Sequence, residues 1–407
     1  MPAAPDLPIS MRALLAGARR KQPALLDFIR KLVRAESPSD DKAAVDACVA
    51  LAAAQAKALG GRMKLHRQRG FGDVLEARFG PKPPQSGKAA GEDRSAERRI
   101  LLLGHLDTVW PLGTLKAMPC RQAEGRLWGP GVLDMKAGVA MAFTAIEMLT
   151  EAGALDREIV LLLTSDEEVG SPVSRHITER LAAGCAAVYV LEPAQGLAYK
   201  TARKGIGNWR IDVAGVAAHA GVDFEKGSNA IRELARVVET VSGWTDLKRS
   251  LTVSVGLAGG GSRTNVIPAQ AWAEVDVRIA RKADGERMES KFAELKPVDE
   301  RCRLAVTGGV CRPPMERTRA TVRLYRQART LAAELGFALE EASSGGVSDG
   351  NLTSALSIPT LDGMGAVGEG AHAGHESILV EHLAPRTALL AGMLAGCHGA
   401  GAPDTLR

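Results

Sequence analysis

Aromatic side chains are scarce in this sequence. They make up 4% of 407 residues, and surfaces that stack on nucleic-acid bases depend on such rings. The formal net charge is only +5, and no basic run or recognised binding motif accompanies it. A weakly basic sum of this size can help to attract a small anionic substrate. The composition therefore gives no reason to expect a nucleic acid as a partner.

Cysteine pairs and long apolar runs are also missing. The six cysteines lie far apart and form no CxxC motif, which predicts free thiols in a reducing compartment. No apolar stretch reaches the ~18 residues that indicate a membrane-spanning helix. The first residues lack the apolar core and cleavage site of a signal peptide. We therefore expect a cytoplasmic protein without a membrane partner.

The length of the chain predicts two domains rather than one. Short apolar runs at residues 100–104, 159–164 and 188–191 are typical of strands that a sheet buries on both faces. Between the first two runs, residues 136–152 carry apolar side chains at helical spacing. This alternation predicts an α/β domain with a mixed, largely parallel sheet. The polar, Pro- and Gly-rich stretch at residues 81–98 is interpreted as an exposed loop within it.

The middle of the chain has a different order of elements. Its periodicity predicts strand, helix, strand, strand, helix and strand, at residues 207–213, 229–241, 251–257, 271–279, 285–295 and 303–307. This is the ferredoxin-like order, so we expect residues 206–316 to form an inserted second domain. Residues 1–205 and 317–407 then form one discontinuous first domain.

Polar side chains follow the strongest predicted strands. His105 and Asp107 come after the first strand, Glu167 and Glu168 after the second, and Glu192 after the third. Each has an ordinary explanation on its own: a hydrogen-bonded histidine, a solvated acidic pair, or a turn before proline. Ligands of open α/β sheets bind at the carboxyl ends of strands, so the convergence favours one functional site.

The residue types at these strand ends are suited to a divalent metal. Imidazole and carboxylate groups without thiolates suit Zn²⁺, with Mn²⁺ and Co²⁺ as alternatives. His105 and Asp107 face the same side in extended backbone, and a carboxylate often holds the second nitrogen of a ligating histidine. Of Glu167 and Glu168, one can bind metal while the other acts as general base. Asp134 either joins this site or caps the helix that starts nearby.

These segments resemble the two-zinc metallopeptidase family that contains glutamate carboxypeptidase, aminoacylase, acetylornithine deacetylase and succinyl-diaminopimelate desuccinylase. The matching stretches occur in the family's order across nearly the whole chain: GHLDTVWP (104–111), GPGVLDMKAG (129–138), TSDEEVGS (164–171), LEPA (191–194), AHAG (218–221), TNVIPA (264–269), DVR (276–278) and GEGAHAGHES (368–377). An ordered set is far more specific than any single stretch.

The resemblance implies two zinc ions per chain and a role for each residue of the site. The ligands would be His105 and Glu192 on one zinc, Glu168 and His372 on the other, and Asp134 between them. Glu167 would be the general base for a metal-bridging water, and Asp107 would orient His105. His375 is the alternative to His372, and the family pattern favours His372.

The resemblance also implies a lid. The inserted domain would close over the site and form a homodimer, with His219 reaching the partner subunit's active site. The likeness is closest to the glutamate carboxypeptidase branch, because of Trp-Pro at 110–111 and Arg-Pro at 312–313. In that branch lid groups hold the free carboxylate of the substrate, and Asn265, Arg278 and Arg312 match their positions. An arginine suits this task because its guanidinium offers two parallel donors.

Three functions are consistent with these residues. The first is a metallo-carboxypeptidase that releases a C-terminal, acidic amino acid from a small peptide. The second is a deacylase or amidohydrolase that acts on an N-acyl amino acid with the same chemistry. The third is a catalytically silent binding protein that keeps the fold, which loss of Glu167 or of a metal ligand would have favoured. No such loss is visible in the sequence.

Overall fold

The computed structural model describes residues 8–82 and 99–396 and divides the chain into two compact units. The first unit contains the chain up to Ala202, Arg317–Ser343 and the chain from Ser348 onward. The second contains Arg203–Glu316 and Ser344–Val347. The loop predicted at 81–98 falls almost entirely on residues that lie outside the described ranges.

A mixed sheet forms the centre of the first unit. Its strands among the described residues are β1 (Arg62–His66), β2 (Val74–Phe79), β3 (Ile100–His105), β6 (Ile159–Thr164), β7 (Ala187–Val190) and β14 (Thr360–Leu361). The order across the sheet is β1, β2, β6, β3, β7, β14. The pairings β1–β2 and β2–β6 are antiparallel, and the remaining pairings are parallel. The predicted α/β fold with a largely parallel sheet is confirmed.

Both faces of this sheet are buried. Along β3, Leu102 belongs to the larger hydrophobic core, whereas Leu101 and Leu103 belong to a smaller one, because successive strand side chains point to opposite faces. The larger core draws on α1 (Met11–Arg34), α2 (Lys42–Ala58), α3 (Ala137–Glu151), α7 (Arg319–Glu334) and α9 (Leu383–Ala395), and the smaller one on α4 (Arg175–Ala182). The polar side chains of this region therefore lie at the ends of the strands.

A smaller antiparallel sheet joins distant parts of the same unit. It contains β4 (Arg121–Ala123), β5 (Arg126–Trp128), β15 (Gly368–Glu369) and β16 (Ser377–Leu379), in the order β15, β16, β5, β4. Trp128 pairs with Ser377 in this sheet. The unit also contains the strand pair β8 (Tyr199–Arg203) and β13 (Glu341–Ser344) and the short helix α8 (Gly350–Ala355).

The second unit is an antiparallel sheet with two helices. Its elements are β9 (Gly205–Ala214), α5 (Ala230–Ser242), β10 (Thr252–Gly260), β11 (Gln270–Ile279), α6 (Lys282–Ala293) and β12 (Arg303–Arg312), and the sheet order is β10, β11, β9, β12. Alternate residues of β11 are buried in its core. Trp209 of β9 stacks on Phe292 of α6, with ring centroids 4.3 Å apart. One face of the sheet is thus covered by the helices.

Membrane-spanning helices and disulfide bonds are two features that the composition gave no reason to expect. Within the two described ranges, no helix is both long and apolar enough to cross a membrane. The cysteines in the same ranges form no disulfide bond, and Cys397 lies outside them.

Helix α3 begins where a glycine permits very close packing, and this gives a stability prediction. A Cβ at Gly138 would lie 2.1 Å from the carbonyl oxygen of Leu191, whereas nothing lies within 4 Å of a Cβ at Gly70. We expect Gly138→Ala to lower Tm by several degrees, since overpacking costs about 1–3 kcal/mol and 1 kcal/mol corresponds to roughly 2–4 °C in a unit of this size. Gly70→Ala is the control; calorimetry giving equal Tm values for both variants would contradict the prediction.

Candidate active site

The structure gathers the predicted metal-binding residues and the predicted general base at the carboxyl ends of the central strands. These six residues come from five places in the first unit: His105 at the end of β3, Asp134 before α3, Glu167 and Glu168 in a short 3-10 turn after β6, Glu192 after β7, and His372 between β15 and β16. Parallel strands end at the same edge of a sheet, which explains why residues far apart in sequence meet here.

Asp134 stands between the two histidines. Its Oδ1 lies 3.2 Å from His105 Nε2, and its Oδ2 lies 3.4 Å from His372 Nε2. Glu192 approaches the first histidine at 3.7 Å, and Glu168 approaches the second at 3.2 Å. Two imidazoles are thus linked through one carboxylate, and each imidazole has a further carboxylate of its own.

Two sets of ligand atoms are close enough to hold a metal ion. In one set His105, Glu167 and Glu192 have their ligand atoms within 4.8 Å of one another, and in the other His105, Asp134 and Glu168 do. Geometry alone therefore admits Glu167 as a ligand as well as a base. Both His372 and His375 are exposed, and His372 makes ion pairs to the acidic cluster.

The electrostatics of the cluster fit a divalent cation. Oε1 of Glu168 is buried and has no hydrogen-bond partner in the described part of the chain, and burial raises the pKa of Glu168. Hydrogen bonds to Asp134 and Glu168 raise the pKa of His372 to about 10. Burial opposes charge on His105, but its bonds to three carboxylates hold its pKa well above the usual value. The site therefore favours positive charge strongly, and its donor set suits a metal of the Zn²⁺ type.

Asp107 is fully buried and connects three parts of the site. Its Oδ1 lies 3.4 Å from His105 Nδ1, and its backbone carbonyl oxygen lies 3.0 Å from the same nitrogen. It also accepts hydrogen bonds from the hydroxyl of Ser39 at 2.8 Å and from the backbone N–H groups of Glu167 and Glu168 at 3.3 and 3.1 Å. Asp107 therefore holds the acidic turn as well as the histidine, a contact that the sequence did not indicate.

Further residues from distant segments support the site. Asp349 accepts hydrogen bonds from Thr164 and Ser171, which flank the acidic turn. Lys136 is buried, and its ammonium donates to the carbonyl oxygen of Ala35. No periodicity or spacing marks these residues, because their partners lie in distant segments.

The remaining predicted residues belong to the second unit. His219 is exposed, and its Nδ1 accepts the backbone N–H groups of Gly221 and Val222, both at 3.1 Å. A neutral His219 must then carry its proton on Nε2, which makes that nitrogen a donor. Asn265 lies close to His219, because the backbone carbonyl oxygen of Asn265 accepts the N–H of Ala220, the residue after His219, at 3.0 Å.

Two predicted arginines lie on neighbouring strands of that unit. Arg278 of β11 and Arg312 of β12 both pair with Ile206 of β9, from opposite sides. The side chain of Arg278 is 35% exposed and its Nε donates to Asp276 at 2.8 Å. Arg312 is only 5% exposed. Of the two, Arg278 has the more accessible guanidinium.

The comparison with known families decides the class of this protein. A model of peptidase family M20/M25/M40 matches residues 101–396. The chain belongs to this family. It is thus a metal-dependent peptidase or amidohydrolase, and the acidic cluster with its two histidines lies within the matched residues.

Relatives within this family carry several names. Carboxypeptidase G2 of Pseudomonas sp. (strain RS-16) is 28% identical over 95% of this chain and 92% of its own. A succinyl-diaminopimelate desuccinylase of Stenotrophomonas maltophilia (strain R551-3) is 28% identical over 88% of this chain and 95% of its own. Among solved structures, aminopeptidase PepT of Bacillus cereus has a TM-score of 0.76 at 23% identity, covering 92% of this chain and 98% of its own. A dinuclear metal-binding M20 peptidase of Bacillus subtilis has a TM-score of 0.65 at 16% identity, covering 93% and 98%.

The contacts of Asp107 give a second prediction. Asp107→Asn puts an NH₂ group where the carboxylate accepts N–H donors, and a buried donor without an acceptor costs about 1–3 kcal/mol. We expect Tm to fall by roughly 3–10 °C and bound metal to decrease. The control is Asp156→Asn, because Asp156 is 54% exposed and pairs with its sequence neighbour Arg157. Wild-type Tm and metal content in Asp107→Asn would refute the prediction.

Proposed function

We propose that this enzyme is a two-zinc carboxypeptidase, which hydrolyses the amide bond before a C-terminal acidic amino acid. The observation that carries the proposal is the position of Asp134, with one oxygen facing His105 and the other facing His372. A carboxylate shared between two sets of donors is what a pair of metal ions requires. In this assignment Glu192 completes the first set and Glu168 the second.

The chain's own groups then divide the chemistry. Two bound metal ions would lower the pKa of a water molecule and polarise the scissile carbonyl. Glu167 accepts the proton of the attacking water and passes it to the leaving nitrogen. Asp107 keeps His105 oriented through Nδ1 and holds the backbone of Glu167, so the base and the first metal set share one support.

Groups of the second unit are proposed to recognise the substrate. Arg278 offers an accessible guanidinium for the terminal carboxylate, with Asn265 and Arg312 as further contacts. His219 offers an Nε2–H donor for the negative charge that develops on the carbonyl oxygen. We propose that residues 206–316, which lie within this unit, act as the lid and form the homodimer, so that His219 serves the partner's site.

A second function of the same chemistry is supported by the relatives. Several M20 relatives are named succinyl-diaminopimelate desuccinylase. The alternative substrate is therefore an N-acyl amino acid with a small acyl group. The two functions use the same metal ligands and base and differ in which side of the amide bond determines specificity.

The role of Glu167 can be tested separately from metal binding. Glu167→Gln is expected to keep two metal ions per chain and to lose about 10²–10⁴-fold in kcat, the usual contribution of a general base. Glu151→Gln, on the exposed end of α3, is expected to behave as wild type. Metal content by elemental analysis and turnover before and after chelation check both statements. Lost metal in Glu167→Gln would instead make this residue a ligand.

Substrate specificity is tested with a panel of dipeptides and N-acyl amino acids that differ on either side of the amide bond. We expect preference for C-terminal Glu or Asp, and Arg278→Lys to lower kcat/KM roughly tenfold or more, because an ammonium lacks the two-donor fork. Arg210→Lys is the matched control. Arg210 lies on β9, the strand next to β11, and its Nε donates to Asp212 two residues along the same strand, as Nε of Arg278 does to Asp276. Preference for small acyl groups, with no effect of Arg278→Lys, would favour the deacylase.

A further inference from the structure

The carboxylate of Glu376 is surrounded by N–H donors from the segment that carries Asp134. Glu376 is fully buried. Its Oε1 accepts the backbone N–H groups of Leu133 and Asp134 at 2.8 and 3.1 Å. Its Oε2 accepts the N–H of Gly131 at 2.9 Å and the indole N–H of Trp110 at 2.8 Å. Both oxygens are therefore occupied by donors.

This segment needs hydrogen-bond acceptors for its buried N–H groups in order to keep its shape. Its backbone N–H groups all point at the one carboxylate of Glu376 and form an anion-binding concavity, a nest. Gly131 permits the turn, with φ of 70°, and a Cβ there would lie 2.5 Å from Cγ2 of Thr108. Buried N–H groups without an acceptor are unfavourable. The carboxylate of Glu376 supplies these acceptors and so stabilises the conformation that presents Asp134.

The same residue closes the turn that carries His372. The backbone N–H of Glu376 donates to the carbonyl oxygen of Ala373 at 2.9 Å, and the N–H of Ala373 donates to that of Gly370 at 2.8 Å. His372 sits within this turn, with φ of 62°. The side chain of Glu376 thus holds the segment of Asp134, and its backbone holds the turn of His372. The side chains of Asp134 and His372 lie 3.4 Å apart.

We propose that Glu376 is a positioning residue of the metal centre, which sets the placement of Asp134 against His372 without binding metal or substrate itself. The proposal rests on the ligand assignment of the proposed function. Its consequence is selective: the metal set formed by Asp134, His372 and Glu168 depends on Glu376 directly, because Glu376 contacts two of its three segments, those of Asp134 and His372. The other metal set, formed by His105, Glu192 and the shared Asp134, depends on Glu376 only through Asp134.

The experiment compares Glu376→Gln and Glu376→Asp with wild type and with Glu369→Gln as the matched control. Glu369 lies on β15 in the same region and makes an exposed ion pair with Arg126. Zinc content is measured at buffered free metal, and the Co²⁺-substituted proteins are compared by absorption spectroscopy. We expect two ions per wild-type chain, and one of them bound about 10–100-fold more weakly in Glu376→Gln, with an altered Co²⁺ spectrum and a fall in kcat rather than a rise in KM. Glu376→Asp keeps the charge and is expected to lie between.

The outcomes separate this proposal from the one on which it rests. Wild-type metal affinity and Co²⁺ spectrum in folded Glu376→Gln would overturn the positioning role, whatever the activity. Should Glu376→Gln not fold, as judged by circular dichroism, Glu376→Asp decides: weaker binding of one ion supports the role, and wild-type binding overturns it. Fewer than two ions in the wild-type protein would count against the ligand assignment itself.

Discussion

The crowding of buried carboxylates at the ends of β3, β6 and β7 is the constraint on which the first unit depends. Asp107 and Glu376 are fully buried, and Glu168 and Glu192 nearly so. Charges removed from water are costly unless they are paired or hydrogen-bonded. The chain surrounds them with backbone N–H groups, with histidines and with the buried ammonium of Lys136. Burial lowers the pKa of that ammonium, and nearby charges, Glu376 and Asp107 among them, oppose the change.

Close backbone packing sets where these carboxylates stand. A Cβ at Gly138 or at Gly365 would lie 2.1 or 2.2 Å from the carbonyl oxygen of Leu191, the residue before Glu192. The absence of side chains at both positions lets α3 and a second segment approach the end of β7. The buried guanidinium of Arg386 donates to the carbonyl oxygen of Gly365, and so holds that second segment. The acidic groups are thus placed by groups that carry no catalytic chemistry.

The sequence predicts buried strands well and interrupted strands poorly. The apolar run at 159–164 coincides with β6, because a strand buried on both faces has no polar residue to break its pattern. The prediction that the last strand of the second unit ends at residue 307 was wrong, since β12 runs from Arg303 to Arg312. The strand continues through Gly308, which has φ of 112° and where a Cβ would lie 2.1 Å from the carbonyl oxygen of Asn208. Glycine is required there inside the strand.

The functional site likewise has one part that the sequence pattern predicts, after the apolar strands, and one part that it does not, in the turn with Glu376. The site residues His105, Asp107, Glu167 and Glu168 lie at or just after the ends of continuous apolar runs, so local pattern alone predicts them at one edge. The turn with Glu376 lies between strands of two and three residues, which have too few positions to show a period, and its side chain bonds to an N–H 245 residues earlier. A family resemblance can name a histidine in that turn, but it cannot show what the turn holds in place. Such a contact closes a large loop, and the site is complete only when the turn with Glu376 has packed onto the segment of Asp134.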